Sequence, residues 1–261
     1  MKKQLLLVLL AFLPLMASAE TVEIDGLWYN LIPKGQVAEV FRSLGTSYSG
    51  DIIIPETVTY EDVEYNVSSI AEKAFYSCSE LTSINIPNSV NSIGDYAFSS
   101  CTNLTSITIP NSVTTIKSGS FQGCTSLTSI IIPNSVTSID YEVFSGCTSF
   151  TSIIIPNSVT SIGMNAFSGC SSLKTLDIPN SVKTIGTEAF EHCSALTSIN
   201  IPEGVTTIWD GAFADCGLTS ITIPNSVTKI ENNAFLHIPK VYYKGDATGA
   251  PWGAGEVLPN E

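Results

Sequence analysis

Seven cysteines stand at Cys78, Cys101, Cys124, Cys147, Cys170, Cys193 and Cys216, each 23 residues after the last. Thiols in such a series have three chemistries open to them: disulfide formation, soft-metal ligation and nucleophilic attack. Disulfides fit poorly. The count is odd, and all seven cysteines occupy one slot of a repeated unit. Equivalent residues on adjacent units lie about 5 Å apart with parallel Cβ vectors, so their Cβ atoms stay beyond the ~3.8 Å of a relaxed disulfide. A nucleophilic cysteine needs an exposed, electropositive setting and a unique partner, which a sevenfold slot does not offer. The only histidines are His192 and His237. His192 adjoins Cys193, but adjacent residues on a turn diverge, and its equivalents (Gly123, Gly146, Gly169 and their neighbours) are plain loop residues. His192 is therefore read as a loop residue, and no metal is expected, since zinc needs three or four converging ligands. The acidic residues Asp95, Asp140, Asp177, Glu188, Glu191 and Asp210 follow no paired motif. No phosphate-cradling glycine loop or Gly-x-Ser-x-Gly elbow is present. Catalytic residues and cofactors are thus not expected, and the cysteines read as buried free thiols behaving as small hydrophobes.

The elements that hold this slot keep the same beat. Phe75, Phe98, Phe121, Phe144, Phe167, Phe190 and Phe213 each precede a cysteine by three residues, and Pro87, Pro110, Pro133, Pro156, Pro179 and Pro202 recur at the same interval. A constant period of this length marks a solenoid, one coil per repeat, each stacked on its neighbours. The coil Leu81 to Asn103 reads LTSINIPNSVNSIGDYAFSSCTN. Ile84 and Ile86 alternate with polar residues, as in a strand with one buried face. Pro87 stops that strand, having no donor for the ladder. Asn88 and Ser89 supply turn chemistry, and Val90 and Ile93 turn the chain inward again. Tyr96 to Cys101 is too short for a full helix and predicts one helical or 3₁₀ turn. The ladder Asn88, Asn111, Asn134, Asn157, Asn180 and Asn225 is expected to satisfy turn backbone and to stack side chain on side chain. Ser120 is the one polar residue among the inward slots of its coil.

The pattern LxxIxIPxxVxxIGxxAFxxC resembles the BspA-like, or Treponema pallidum type, leucine-rich repeat, over roughly residues 67–238. The resemblance implies an α/β-class repeat solenoid, a curved right-handed coil with a parallel β-sheet on its concave face and short helical or 3₁₀ turns elsewhere. It also implies a secreted or surface-exposed bacterial protein of adhesin-like character.

Residues 1–19 have the form of a secretory signal peptide. Lys2 and Lys3 precede the apolar run Leu5 to Leu15, and Ala17-Ser18-Ala19 forms the cleavage site. The run is too short to span a bilayer, and no lipobox cysteine follows it. The remaining chain carries nine basic against 24 acidic residues, a formal charge of −15. That acidity argues against nucleic acid and anionic membrane as partners. Residues 20–66 are expected to form an N-terminal β cap. In it Ile24, Leu27, Tyr29 and Leu31 form one strand, Val37, Val40 and Phe41 a second, and a hairpin is inserted near Thr59 to Asn66. Solenoid ends expose an apolar face and need such a cover. About seven 23-residue coils fill 67–238. Residues 239–261 are a C-terminal cap and tail, with a closing strand at Lys240 to Tyr243 and a Gly-rich loop around Pro251-Trp252.

The candidate ligand-binding residues lie between the two inward isoleucines of each coil: Asn85, Thr108, Ile131, Ile154, Asp177, Asn200 and Thr222. They vary from coil to coil and are expected to point outward from the concave sheet, where Ile131 and Ile154 make an apolar spot in a polar field. The expected partner is an extracellular protein or a glycan, bound by a monomer. A glycan reading rests on Tyr96, Tyr141, Trp209 and Trp252 as stacking platforms on one exposed face. A third reading is a structural spacer without a ligand.

Overall fold

The computed structural model describes residues 20–243 and 245–259; the signal-peptide reading lies outside them. The N-terminal cap holds six strands: β1 (Glu20–Ile24), β2 (Leu27–Ile32), β3 (Val37–Phe41), β4 (Gly50–Ile53), β5 (Thr57–Tyr60) and β6 (Val63–Ile70). The single strand expected from Ile24 to Leu31 is two. Asp25 (φ 51°) and Gly26 (φ 82°) fold β1 back on β2 as a two-residue hairpin turn. β3 pairs antiparallel with β2 and parallel with β6, while β5 and β6 form a hairpin of their own. The end of β6 then pairs with Ser92–Ile93 of the first full coil, so the cap is the template on which the solenoid starts.

Each coil has three sides. On the strand side, short parallel strands such as Leu81–Asn85 and Ser106–Thr108 pair in register. On the second side, two-residue strands at Ser92–Ile93, Thr115–Ile116 and their successors form another parallel ladder. The third side carries the Ala-Phe-x-x-Cys segment. Here the expected helical or 3₁₀ turn is absent among the described residues. Tyr96 (φ 54°) and Ser100 (φ 61°) are left-handed, which a right-handed turn cannot accommodate. The amides alternate instead. Those of Tyr96, Phe98 and Ser100 donate to Ser118, Ser120 and Gln122 of the next coil at 2.7–2.8 Å, and those of Ala97, Ser99 and Cys101 turn back three residues at 3.1–3.3 Å. Every amide of the segment is satisfied, half of them by stacking.

The core is a column of phenylalanines from Phe75 to Phe235, fully buried and nearly parallel, with neighbouring centroids 5.1–6.0 Å apart. Tyr48 of the cap closes one end at 4.9 Å, and Trp252 the other, edge-on at 6.3 Å. Ser120 sits in the alanine slot with no exposure, its hydroxyl donating to the carbonyls of Gly94 (3.1 Å) and Lys117. The asparagine ladder does not behave as expected. Those side chains are exposed and form no side-chain hydrogen bond among the described residues. The following serines tie the coils instead: Ser112, Ser158 and Ser181 donate to Val90, Val136 and Val159 of the preceding coil at 2.6 Å. A hydroxyl reaches a carbonyl one coil back without turning its own backbone, which the asparagine amide at the solvent edge does not do.

The stacking is uneven at one joint. The second-side ladder stops between Thr115–Ile116 and Ser138–Ile139, and on the strand side Ile131 is held only by isolated bridges to Thr108 and Ile154. The Phe121–Phe144 spacing is also wide, at 5.8 Å. Only the turn side continues unbroken there, through the amides of Gly119, Phe121 and Gly123.

Candidate functional site

On the strand side each coil turns inward the two aliphatic residues that flank a central one, isoleucines except for Leu176 and all buried except the half-buried Ile199, and period-2 geometry turns the central residue outward. All seven candidates, Asn85, Thr108, Ile131, Ile154, Asp177, Asn200 and Thr222, are exposed. The register aligns them one per coil: Asn85 opposite Thr108, Thr108 bridged to Ile131 and Ile131 to Ile154, Ile154 opposite Asp177, and Asp177 opposite Asn200. Thr222 follows beyond a break, since its strand pairs with Lys240–Tyr242 rather than with Ser198–Asn200. Ile131 and Ile154 are 75% and 82% exposed. The row also reaches into the cap, where Ile53, opposite Asn85, is 75% exposed. Sequence reasoning passed over Ile53 although Ile-Ile-Ile-Pro at 52–55 repeats the triplets around Ile131 and Ile154. Ile53, Asn85, Thr108 and Ile131 line one groove of about 720 Å³, walled by Pro55, Pro87 and Pro110. At its cap edge the Asp51 carboxylate accepts from Ser83 Oγ (2.6 Å) and Thr82 Oγ1 (2.8 Å), which hold its pKa below the usual carboxylate value.

The cysteines face inward and are free. Each thiol from Cys101 to Cys216 donates to the carbonyl of the phenylalanine 26 residues before it, from Phe75 to Phe190, at 3.0–3.3 Å. The slot therefore calls for a small apolar group that carries one donor, which describes a thiol. Burial pushes Cys124 and Cys170 up to about 12 and raises Cys101, Cys147, Cys193 and Cys216 as well. Thiolate chemistry is suppressed at such sites. Alkylation of the native protein near neutral pH is expected to be slow, and unfolding in urea should expose seven reactive equivalents per chain. Three disulfides found by mass spectrometry would contradict this.

On the turn side the aromatic residues do not form one platform. Trp252 is buried, its indole N–H donating to Thr248 O at 2.9 Å, so it is not available for stacking and the reading that used it is corrected. The Tyr96 ring lies over Gly119, where a Cβ would meet it at 2.3 Å. Trp209, 38% exposed, lies under the Lys229 ammonium, 4.0 Å from the ring centroid. One constellation was missed. His192, Asp215 and His237 share a column of left-handed turn residues on three successive coils, with Glu191 alongside. The signal was in the spacing, 23 and then 22 residues, the last coil being one residue short.

The sequence profile of the BspA-type leucine-rich repeat region matches residues 55–143 and 114–241, in six copies. The chain belongs to the BspA-type leucine-rich repeat family. Solved structures agree with this. A leucine-rich repeat protein from Bacteroides ovatus superposes with a TM-score of 0.64 at 28% identity, covering 85% of this chain. This chain spans 65% of that protein's length. A leucine-rich cell surface protein from Faecalibacterium prausnitzii gives 0.59 at 28% identity, over 87% of this chain and 77% of its own. One from Eubacterium ventriosum gives 0.54 at 25%, over 77% and 60%. No curated protein matches. As a BspA-type solenoid the molecule has parallel strands on two sides and no helix among the described residues long and apolar enough to cross a membrane. In this chain the coils fix the inward slots and leave the central strand residue exposed, so that residue can vary from coil to coil without disturbing the core.

Proposed function

We propose that this protein is a secreted or surface-exposed binding protein, adhesin-like, that recognises an extracellular protein through its strand side. The observation that carries the reading is the pair Ile131 and Ile154, neighbours on adjacent coils and both largely exposed within a polar row. Solvated isoleucines on a rigid sheet give the kind of apolar centre with a polar rim that binding hot spots need. Burial of each contributes about 1.5–3 kcal/mol to an interface. The groove running from Ile53 to Ile131 extends the same surface toward the cap. The described residues bring no nucleophile and base together on this side, so recognition without catalysis fits it best.

The test begins with a screen of the chain from Glu20 onward against extracellular-matrix proteins and a glycan array. With the strongest protein hit as probe, Ile131→Asp combined with Ile154→Asp is expected to weaken binding by at least about a hundredfold, because the interface would have to bury two uncompensated charges. Circular dichroism should be unchanged, since both side chains already face solvent. Met164→Asp, on the turn side, should bind like the parent. Full affinity in the double variant would move the site off the strand side. Hits confined to glycans would replace the protein-ligand reading.

A further inference from the structure

The turn-side column near the C-terminal end gathers both histidines of the chain around one carboxylate. His192 (φ 59°), Asp215 (φ 56°) and His237 (φ 65°) occupy the second left-handed position of consecutive coils. Preceding coils fill that position with Ser77, Ser100, Gly123, Gly146 and Gly169, all left-handed. Glycine adopts this conformation at no steric cost, so the backbone does not call for an imidazole or a carboxylate here. The side chains nevertheless converge. His237 Nδ1 lies 2.6 Å from Asp215 Oδ1, His192 Nδ1 lies 3.7 Å from Asp215 Oδ2, and His192 Nε2 lies 3.8 Å from Glu191 Oε1. One donor atom from each of Glu191, His192 and Asp215 falls within 4.8 Å of the others.

We propose that this column is a binding site for a divalent transition-metal ion of the zinc class, with His192, Asp215 and Glu191 as ligands and His237 holding the Asp215 carboxylate. Tetrahedral zinc with bonds near 2.0–2.2 Å places its ligand atoms about 3.3–3.6 Å apart, so three donor atoms within 4.8 Å of one another, a single nitrogen of His192 among them, close on one ion by side-chain rotation. The side chains are exposed or half-exposed and free to make them. Imidazole in the set favours zinc, copper or nickel over calcium and magnesium, which prefer oxygen alone. Ligating carboxylates are themselves held by hydrogen bonds in such sites, and His237 is placed to hold that of Asp215.

The experiment is equilibrium dialysis of the chain from Glu20 onward against zinc sulfate, together with the visible spectrum of the cobalt(II) form. One equivalent of zinc per chain is expected, with a cobalt spectrum lacking thiolate-to-metal charge transfer. His192→Asn and Asp215→Asn retain a residue that tolerates the left-handed backbone. Each should lower zinc affinity more than tenfold with the urea midpoint unchanged in the absence of metal. His237→Asn should lower it about tenfold, the scale of an outer-shell loss. Cys216→Ala, one residue beyond Asp215, should bind zinc like the parent. Three results would overturn the proposal: no zinc bound at millimolar concentration, a zinc dissociation constant in His192→Asn or Asp215→Asn equal to the parent's, or a thiolate band in the cobalt form.

Discussion

Between pH 9 and pH 10 the protein is expected to lose about 6 kcal/mol of stability, enough to unfold a domain of ordinary stability. The cause is the thiol column. In the unfolded chain each cysteine ionises near its ordinary value of 9.0, whereas in the fold Cys124 and Cys170 hold their protons to about 12 and Cys101, Cys147, Cys193 and Cys216 are raised as well. Below pH 9 both states are protonated and the difference is silent. As pH rises through 9 the unfolded state releases protons that the folded state keeps, so stability falls, by about 1 kcal/mol per thiol over that unit and six times as much for six thiols. The fall ends only where the buried thiols themselves ionise. Urea midpoints at pH 7, 9 and 10 measure it. Replacing Cys124 and Cys147 by Ala should remove about a third of the slope, which separates the thiols from the tyrosines. A midpoint flat from pH 8 to pH 10 would show that the thiols are not held neutral by burial.

Phe190→Ala is expected to cost about 5 kcal/mol and Phe144→Ala about 3 kcal/mol, the two ends of the range for emptying a buried aromatic site. Phe190 is stacked at 5.3 Å on both Phe167 and Phe213, and the slot beside it holds the smaller Leu196. Phe144 has Phe150 beside it, 5.6 Å away and tilted by 51°, in a slot that other coils fill with leucine, and that ring can lean into the vacancy. In either variant amide exchange should quicken in the adjoining coils as well, because each coil is held mainly by its neighbours. Equal midpoints for parent and Phe190→Ala would mean that the column is not a packed spine.

The repeat was legible because one structural slot is written seven times. Phenylalanine, proline and cysteine at constant spacing leave few folds that satisfy them all, and the outward row between the isoleucines followed from period-2 alternation. Two kinds of feature were not legible. Backbone handedness was hidden, since Tyr96, Glu142 and Glu188 are residues that seldom adopt positive φ, and the tertiary ladder overrode that preference. The turn therefore read as 3₁₀ when it is a run of alternating left-handed residues. Features at the ends were also hidden, because caps do not repeat. Asp25-Gly26 is a strong hairpin signal set inside what alternates like one strand, and Trp252 follows a glycine-rich stretch that gives no sign of burying it. Of the site residues, Ile53 and the His192, Asp215 and His237 column were recoverable from register alone, had the period been carried through the cap and across the short last coil.

The interrupted joint at Ile131 has a mechanical consequence. Bending stiffness in a stacked coil comes from the ladders at its periphery, and at this level two of the three are reduced or missing while the turn side stays intact. The molecule should therefore flex as two stiff arms about the unbroken hydrogen-bond ladder on the turn side, with the opening edge between Thr108 and Ile131. A surface that docks there would meet a compliant jaw, able to splay around a convex partner and then to clamp as strand hydrogen bonds re-form across the gap.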